Sequence, residues 1–132
     1  MNIRYKRPDN KSAASILEAA ERDMKYTLTL KLSEEAGPTI VRNVYESFRM
    51  LGDALLVMKG ISAEDHQTPI NELLKIKVIT SRPITIVDNL RRLRHNINYY
   101  GYRPNLEEVK DTLSIAETCF RPLLDEIKKK IK

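Results

Sequence analysis

The strongest constraint on the fold is an apolar stripe of helical period between residues 38 and 59. Apolar residues recur there every three or four positions, at Val41, Val44, Tyr45, Phe48, Leu51, Leu55 and Leu56. Residues at this spacing share one face of an α-helix. Pro38 suits the first turn of a helix and Gly60 suits its end. The stripe therefore predicts a helix from about Pro38 to Lys59, in which Gly52 marks a close approach by another helix.

The segments on either side of this stripe also have helical spacing. A first helix is predicted from Ser12, and we extend it through residues 27–32, although they alternate like a strand, because no second alternating run exists to pair with them. After a polar loop, Thr68 and Pro69 provide an N-cap and a first-turn proline for a short helix. Along the chain, one of these two helices precedes the central helix and the other follows it.

Two more helices follow in the second half of the chain. One begins at residues 80–83 and ends at Gly101. The last begins at Asn105, where Glu108 three residues later completes a capping-box pattern. Short connections between helical segments favour an all-α fold, an antiparallel up-and-down four-helix bundle with one extra short helix.

Length and composition limit the class of protein. A chain of 132 residues fits one domain, which we place at residues 12–132 behind a flexible basic N-terminus at residues 1–11. That basic segment could alternatively contact a phosphate backbone. Cys119 is the only cysteine, the start lacks a signal-peptide pattern, and no apolar run is long enough to span a membrane. These features predict a cytoplasmic protein with no membrane partner, and the net charge of +5 decides little by itself.

The familiar catalytic and cofactor motifs are absent from the sequence. It has no glycine-rich phosphate loop, nucleophile elbow or zinc-protease motif, and no Cys/His cluster with metal-ligand spacing. No cofactor and no metal are therefore expected. His66 lies in a loop before the short helix, where a histidine is more often solvated or capping than catalytic. Any activity is therefore expected to draw on residues 91–102.

Residues 90–102 read LRRLRHNINYYGY and carry the chain's densest group of hydrogen-bonding side chains. At helical spacing, Ile86, Leu90, Leu93, Ile97 and Tyr100 share one side of the helix. The candidate ligand-binding residues fall on or near the other side and are Arg91, Arg94, His95, Asn98 and Tyr99. Arginine suits phosphate, asparagine can read base edges and tyrosine can stack on bases. The alternative is a homodimer or core hydrogen-bond network, because arginine and tyrosine are enriched at interfaces.

The chain resembles the HEPN domain in the order of its helices and in three local features. These features are residues 54–60 at the end of the second helix, His66 before a short helix, and the segment RHNINYYG before a long last helix. The resemblance covers about residues 12–131 and is to small single-domain prokaryotic members. It implies a helical bundle, frequent homodimers and association with minimal nucleotidyltransferases in toxin–antitoxin pairs. Many members are metal-independent ribonucleases whose signature is Arg, four to six residues, then His. Arg94 matches that arginine, His95 matches the polar residue after it, and Tyr99 stands where histidine is expected.

Tyr99 changes the chemistry that the resemblance implies. An unperturbed tyrosine has a pKa near 10 and an unperturbed histidine about 6.5, so Tyr99 is a poor proton acceptor at neutral pH. We therefore expect a non-catalytic HEPN-like protein that binds nucleotide, RNA or a nucleotidyltransferase partner through a basic groove in a homodimer. The alternatives are a metal-independent endoribonuclease using Arg94 with His95 or Tyr99, and a purely structural dimeric adaptor.

Overall fold

The computed structural model describes residues 3–131. Residues 1–2 of the basic N-terminus and residue 132 of the helical domain lie outside this range. Within it the chain forms five α-helices: α1 (Asn10–Thr27), α2 (Gly37–Met58), α3 (Gln67–Leu73), α4 (Val87–Tyr100) and α5 (Leu106–Lys128). The same range holds two short strands and a 3-10 turn: β1 (Ile3–Tyr5), β2 (Ile61–Ala63) and Ile84–Ile86. The fold is thus mostly helical, as the apolar spacing predicts, with a small sheet added.

The central element is α2, which contacts α1, α3, α4 and α5. Its apolar stripe is buried as predicted, and Tyr45 and Phe48 are among the largest fully buried side chains. Phe48 meets Phe120 of α5 edge to face, with the ring centroids 5.5 Å apart. Burial of an aromatic side chain of this size contributes roughly 2–3 kcal/mol to stability. α2 therefore organises the core and fixes the position of every helix around it.

Gly52 allows α3 to approach α2 closely, which confirms the sequence interpretation of this glycine. A Cβ atom at residue 52 would lie 2.6 Å from the carbonyl carbon of Pro69 and 3.0 Å from its Cα. Atoms at those distances overlap, so only glycine permits this contact. The contact places the start of α3, and the loop before it, against the middle of α2.

The ends of α1 differ from the prediction. Asp9 caps the helix by accepting hydrogen bonds from the Ser12 amide at 2.9 Å and from its hydroxyl at 2.7 Å, so α1 begins at Asn10. It ends at Thr27, and the extension through residues 28–32 was wrong. The hydroxyl of Thr29 donates to the carbonyl of Tyr26 at 2.6 Å, in a turn that replaces the next helical hydrogen bond.

The all-α prediction did not include a strand pair, but the structure has one. β1 pairs with β2 in antiparallel register, with Ile3 opposite Ala63 and Tyr5 opposite Ile61. The amide of Lys6 donates to the carbonyl of Gly60 at 2.6 Å, which extends the pairing by one residue. Three-residue strands are too short to show alternation in a sequence. Residues 3–5 of the basic N-terminus thus lie against the segment that leads to His66.

Three further boundaries can be compared with the prediction. α3 begins at Gln67 because Asp65, rather than Thr68, accepts the capping hydrogen bond, from the Thr68 amide at 2.9 Å. α4 starts after the 3-10 turn and ends at Gly101 as predicted, with a left-handed φ of 64°. Asn105 and Glu108 form the predicted capping box of α5.

None of the helices within residues 3–131 has both the length and the apolar character needed to cross a bilayer.

Candidate anion-binding site between α2 and α4

Polar residues of α2 and α4 face each other along one seam of the fold. We call it the arginine seam and define it by Arg42, Tyr45, Arg49, Arg91, Arg94 and Asn98. Nε of Arg42 donates to Oδ1 of Asn98 at 2.7 Å, and the guanidinium of Arg94 lies 5.7 Å from the centroid of the Tyr45 ring. Successive members on each helix are three or four residues apart, which keeps them on one face.

His66 joins this seam from the loop before α3. Its Nδ1 lies 3.1 Å from the Tyr45 hydroxyl, and the two rings are 5.8 Å apart at 43°. His66 is half-buried and, within the described chain, its side chain caps no helix. The side chain of His66 is thus partly exposed and does not cap α3, and the close contact of α3 with α2 brings it to Tyr45.

The arginines of the seam differ in how their charge is balanced. Arg49 forms ion pairs with Glu46 and, at 2.6 Å, with Asp53. Arg91 pairs with Asp88 at 2.8 Å.

Arg94 is half-buried and forms no ion pair with any residue in the range 3–131. The side of its guanidinium that faces away from the Tyr45 ring is the natural place for an anion.

Burial and the arginines set the protonation of the two ring side chains. Burial raises the pKa of Tyr45 to about 12, against the opposing effect of Arg49 and Arg94, so the phenol keeps its proton at neutral pH. Burial lowers the pKa of His66 from its ordinary value, and the positive charges of Arg94 and Arg49 lower it further. His66 is consequently neutral at pH 7 and has an unprotonated ring nitrogen.

The structure divides the predicted site residues into two groups. Arg91, Arg94 and Asn98 belong to the arginine seam. His95 and Tyr99 lie against each other on the outer face of α4, with ring centroids 4.6 Å apart and the rings tilted by 39°, and Tyr100 meets His95 at 5.9 Å. We call these three the aromatic cluster. Tyr100 was expected on the apolar side with Ile97 but is 76% exposed, because α4 ends at this point and nothing in the described chain covers it.

Sequence reasoning missed four members of the site: Arg42, Tyr45, Arg49 and His66. The first three recur at helical spacing on α2, and this spacing was a usable signal. Tyr45 was assigned to the apolar stripe alone, although its hydroxyl needs a partner when the ring is buried. His66 gives no local signal, because its partner is 21 residues earlier in the chain.

Asp53 next to Arg49 predicts a stability that depends on pH. Burial raises the pKa of Asp53 from its ordinary 3.8 to about 6, although Arg49 opposes the shift. The folded state therefore favours the protonated carboxyl. This contribution is complete below pH 3.8 and is lost as the pH rises through about 6. Between about pH 4 and 7.5, the free energy of unfolding of Asp53→Asn should rise by about 1–2 kcal/mol relative to wild type, measured by urea denaturation.

Asp88→Asn is the matched control for this experiment. The hydrogen bond from Arg91 lowers the pKa of Asp88, so its charged form stabilises the folded state and the variant should lose stability relative to wild type as the pH rises. The same sign for both variants would contradict the assigned environments.

A concave surface lies elsewhere on the molecule, between α1 and α5. The groove between α1 and α5 encloses about 600 Å³ and has Met24 and Phe120 among its apolar residues. Glu18, Glu21 and Glu117 line it together with basic residues, so an anion would meet carboxylates there. Within residues 3–131, no group of three His, Cys, Asp or Glu side chains is placed as metal ligands would be. The arginine seam is the better candidate for binding an anion.

Comparison of the chain with protein-family models, with curated proteins and with solved structures gave no match. The HEPN resemblance therefore stays a prediction. What the arginine seam can do follows from its own contacts.

Proposed function

We propose that this chain binds the phosphate of a nucleotide or of RNA in the arginine seam. The observation that carries the proposal is the half-buried guanidinium of Arg94. It lies over the face of the Tyr45 ring and forms no ion pair within the described residues. A partly desolvated cation without a counterion is unfavourable until an anion binds. Phosphate fits, because an arginine fork donates two parallel hydrogen bonds to its oxygens.

The neighbouring groups supply the rest of a phosphate-binding surface. Arg42 is exposed, lies one turn before Tyr45 on α2 and donates from Nε to the Asn98 amide oxygen. Its other guanidinium nitrogens have no partner among residues 3–131, so they can reach a second phosphate. The aromatic cluster beyond Asn98 offers exposed rings to bases, with Tyr99 67% exposed. Phosphate contacts and stacking surfaces together are the usual means of binding a single strand.

The relative directions of the helices support the HEPN-like arrangement that we propose for the fold. Arg42 meets Asn98 and Tyr45 meets Arg94, so α2 and α4 run in opposite directions where they touch. Gly37 lies next to Val109 and Phe48 meets Phe120, so α2 and α5 run in the same direction. An antiparallel up-and-down four-helix bundle with α3 as an extra short helix has this pattern.

We also propose the homodimer and the minimal nucleotidyltransferase partner that the HEPN resemblance implies. We place the second copy against Tyr100 at the end of α4, which is 76% exposed, because exposed aromatic rings are typical of interface centres, and this placement leaves Tyr99 open to bases. We also place the nucleotidyltransferase at the arginine seam, where it would compete with RNA for the basic side chains.

Arg94→Ala tests the binding proposal. At about 50 mM salt, where phosphate contacts are strongest, affinity for a fluorescein-labelled single-stranded RNA should fall roughly 10-fold. The slope of log affinity against log salt should become shallower by about 0.7, the share of one phosphate contact on a single strand. Fluorescence anisotropy across a salt series measures both quantities.

The control is Arg22→Ala, which removes the same charge from the exposed face of α1. It should change affinity by less than about twofold, since it lies outside the seam. Equal affinities for wild type and Arg94→Ala would contradict the proposal. If Arg94→Ala lowered only the mass seen by light scattering, the arginine would have a structural role in a dimer.

A further inference from the structure

The segment between α3 and the 3-10 turn has the exposure pattern of a β-strand, although it pairs with no other strand within residues 3–131. We call residues 74–83 the extended segment. Its odd-numbered residues are exposed and its even-numbered residues are half-buried at every position. A period of two is that of an extended chain with one side-chain face on the protein body. Ile79, on the outer face, is 97% exposed. The segment is therefore strand-like and unpaired.

The backbone of residues 77–81 has no hydrogen-bond partner in the described chain. The last backbone hydrogen bond before these residues is at Ile76, whose amide donates to the carbonyl of Leu73 at 3.1 Å. The next backbone group in use after them is the carbonyl of Arg82. Residues 77–81 therefore present N–H and C=O groups that a neighbouring strand can pair. Such an edge binds extended peptides by strand addition.

A groove lies between the extended segment and the second half of α5. It encloses about 890 Å³. Ile76, Val78 and Ile84 line one side of it, and Pro122 lines the side formed by α5. A second strand lies about 4.8 Å from its neighbour, and a strand of about five residues spans roughly 17 Å. The groove thus offers apolar contacts to a strand placed beside residues 77–81.

We propose that residues 77–81 bind an extended acidic peptide segment of a partner protein, which adds a strand in this groove. The peptide backbone completes the hydrogen bonds of the edge. Its inward side chains are apolar and cover Val78 and Pro122, while its outward side chains lie next to Lys77 and Ile79. No residue of this surface belongs to the arginine seam, so the inference does not depend on the binding of phosphate.

Lys77 supplies the preference for an acidic peptide. It is exposed and forms no ion pair within residues 3–131, whereas its neighbour on the same face, Lys75, pairs with Glu72 at 3.1 Å. Opposite charges on facing residues of two strands stabilise the pair, and like charges destabilise it. An aspartate or glutamate opposite Lys77 therefore gives this lysine a counterion.

The carboxylates of the groove do not cancel this preference. Glu126 pairs with Lys129 at 2.9 Å, and Asp125 lies 3.8 Å from a guanidinium nitrogen of Arg121. Both carboxylates line the side formed by α5, where the inward apolar side chains of the peptide lie. The acidic side chains of the peptide are on its outer face, next to Lys77.

A second copy of this chain is a less suitable occupant. Antiparallel pairing of two extended segments about Lys77 places the two copies of this lysine opposite each other, and pairing about Ile76 places Lys75 opposite Lys77. Pairing about Val78 gathers Lys75 and Lys77 of both copies on one face. Like charges this close are destabilising, and lysine on an exposed edge is a common means of preventing self-pairing. The edge therefore selects a strand of different sequence.

The test uses the full chain at about 150 mM salt and a fluorescein-labelled peptide of alternating glutamate and valine, about nine residues long. Fluorescence anisotropy should show saturable binding. Lys77→Glu should weaken it about 10-fold and should strengthen binding of the matching peptide of alternating lysine and valine. The control is Lys31→Glu, which makes the same charge change in the loop before α2 and should alter affinity less than about twofold. Arg94→Ala should also leave the affinity unchanged, because the peptide carries no phosphate.

Amide hydrogen exchange followed by NMR tests the pairing of the backbone. In the free chain the amides of residues 77–81 should exchange almost as fast as those of an unfolded peptide. At saturating peptide, alternate amides among them should slow about 10-fold or more, since the N–H groups of successive strand residues point to opposite edges. A peptide with the same side chains but with methylated backbone amides cannot donate to the edge and should bind at least about 10-fold more weakly.

No saturable binding of the glutamate–valine peptide up to about 1 mM would overturn the inference. Equal binding of the methylated peptide, or unchanged exchange at residues 77–81, would overturn it as well. If light scattering showed a wild-type dimer that Ile79→Pro converted to a monomer, the edge would belong to a second copy and the inference would also fall.

Discussion

Gly52→Val is expected to destabilise the protein by at least about 3 kcal/mol and to lower its melting temperature by roughly 10 °C. The reason is the contact of α2 with α3, in which a Cβ at residue 52 would overlap the backbone of Pro69. Backbone atoms cannot move aside as a flexible side chain can, so the two helices must separate. Circular dichroism at increasing temperature measures the effect.

The control is Gly101→Ala, at the end of α4. Here a Cβ meets nothing within 4 Å, but φ is 64°, which costs an L-residue about 1–2 kcal/mol. It should therefore melt below wild type but well above Gly52→Val. Melting of Gly52→Val within about 2 °C of wild type would show that α3 does not lie against Gly52 in solution. Because α3 carries His66 to Tyr45, the comparison also tests how the site is assembled.

The parts of the fold that the sequence predicts are those whose signals are local. The stripe of α2, the capping box at Asn105 and the stop at Gly101 each depend on residues within one or two turns. The close approach at Gly52 was predicted for the same reason, since a glycine inside the apolar stripe weakens the helix and is favoured there only where a neighbouring element needs the space. Its partner, the backbone of Pro69, could not be named from the sequence.

The parts that sequence reasoning missed depend on contacts between distant segments. Ile3 pairs with Ala63 through two strands of three residues each, which give no period to detect. The end of α1 at Thr27 was misplaced because threonine hydroxyls compete for backbone carbonyls in a turn. Both errors come from tertiary or side-chain hydrogen bonds that override spacing.

The candidate site likewise combines residues that the sequence singled out with contacts that it could not predict. Residues 90–102 were singled out because of their composition, and the arginine seam does include Arg91, Arg94 and Asn98. The direction in which these three side chains point was not predictable from the sequence. The polar face of α4 packs partly against α2 and is not fully exposed to water. A helix can bury such a face when the opposite helix offers partners, here the ring of Tyr45 and the guanidinium of Arg42. The helical spacing of polar residues in the sequence cannot by itself distinguish a face packed in this way from a solvated one.

Tyr45→Ala is expected to cost about 3–5 kcal/mol, since it removes a fully buried aromatic ring from the centre of α2. It should also raise the pKa of His66 toward its ordinary value, because burial is the main cause of the present lowering and water would enter the space left by the ring. Urea denaturation measures the first effect, and titration of the histidine ring signals by NMR measures the second.

Tyr45→Phe separates the ring from its hydroxyl. The ring beneath Arg94 and the burial of His66 are kept, so stability should fall by only about 1 kcal/mol and the pKa of His66 should move less than in Tyr45→Ala. RNA binding should change by less than about twofold, since Arg94 keeps the Tyr45 ring against which it lies. Equal stability of the two variants would mean that the Tyr45 ring is not packed in the core. A loss of RNA binding in Tyr45→Phe as large as the loss in Arg94→Ala would show that binding depends on the hydroxyl and would contradict the role given to the ring.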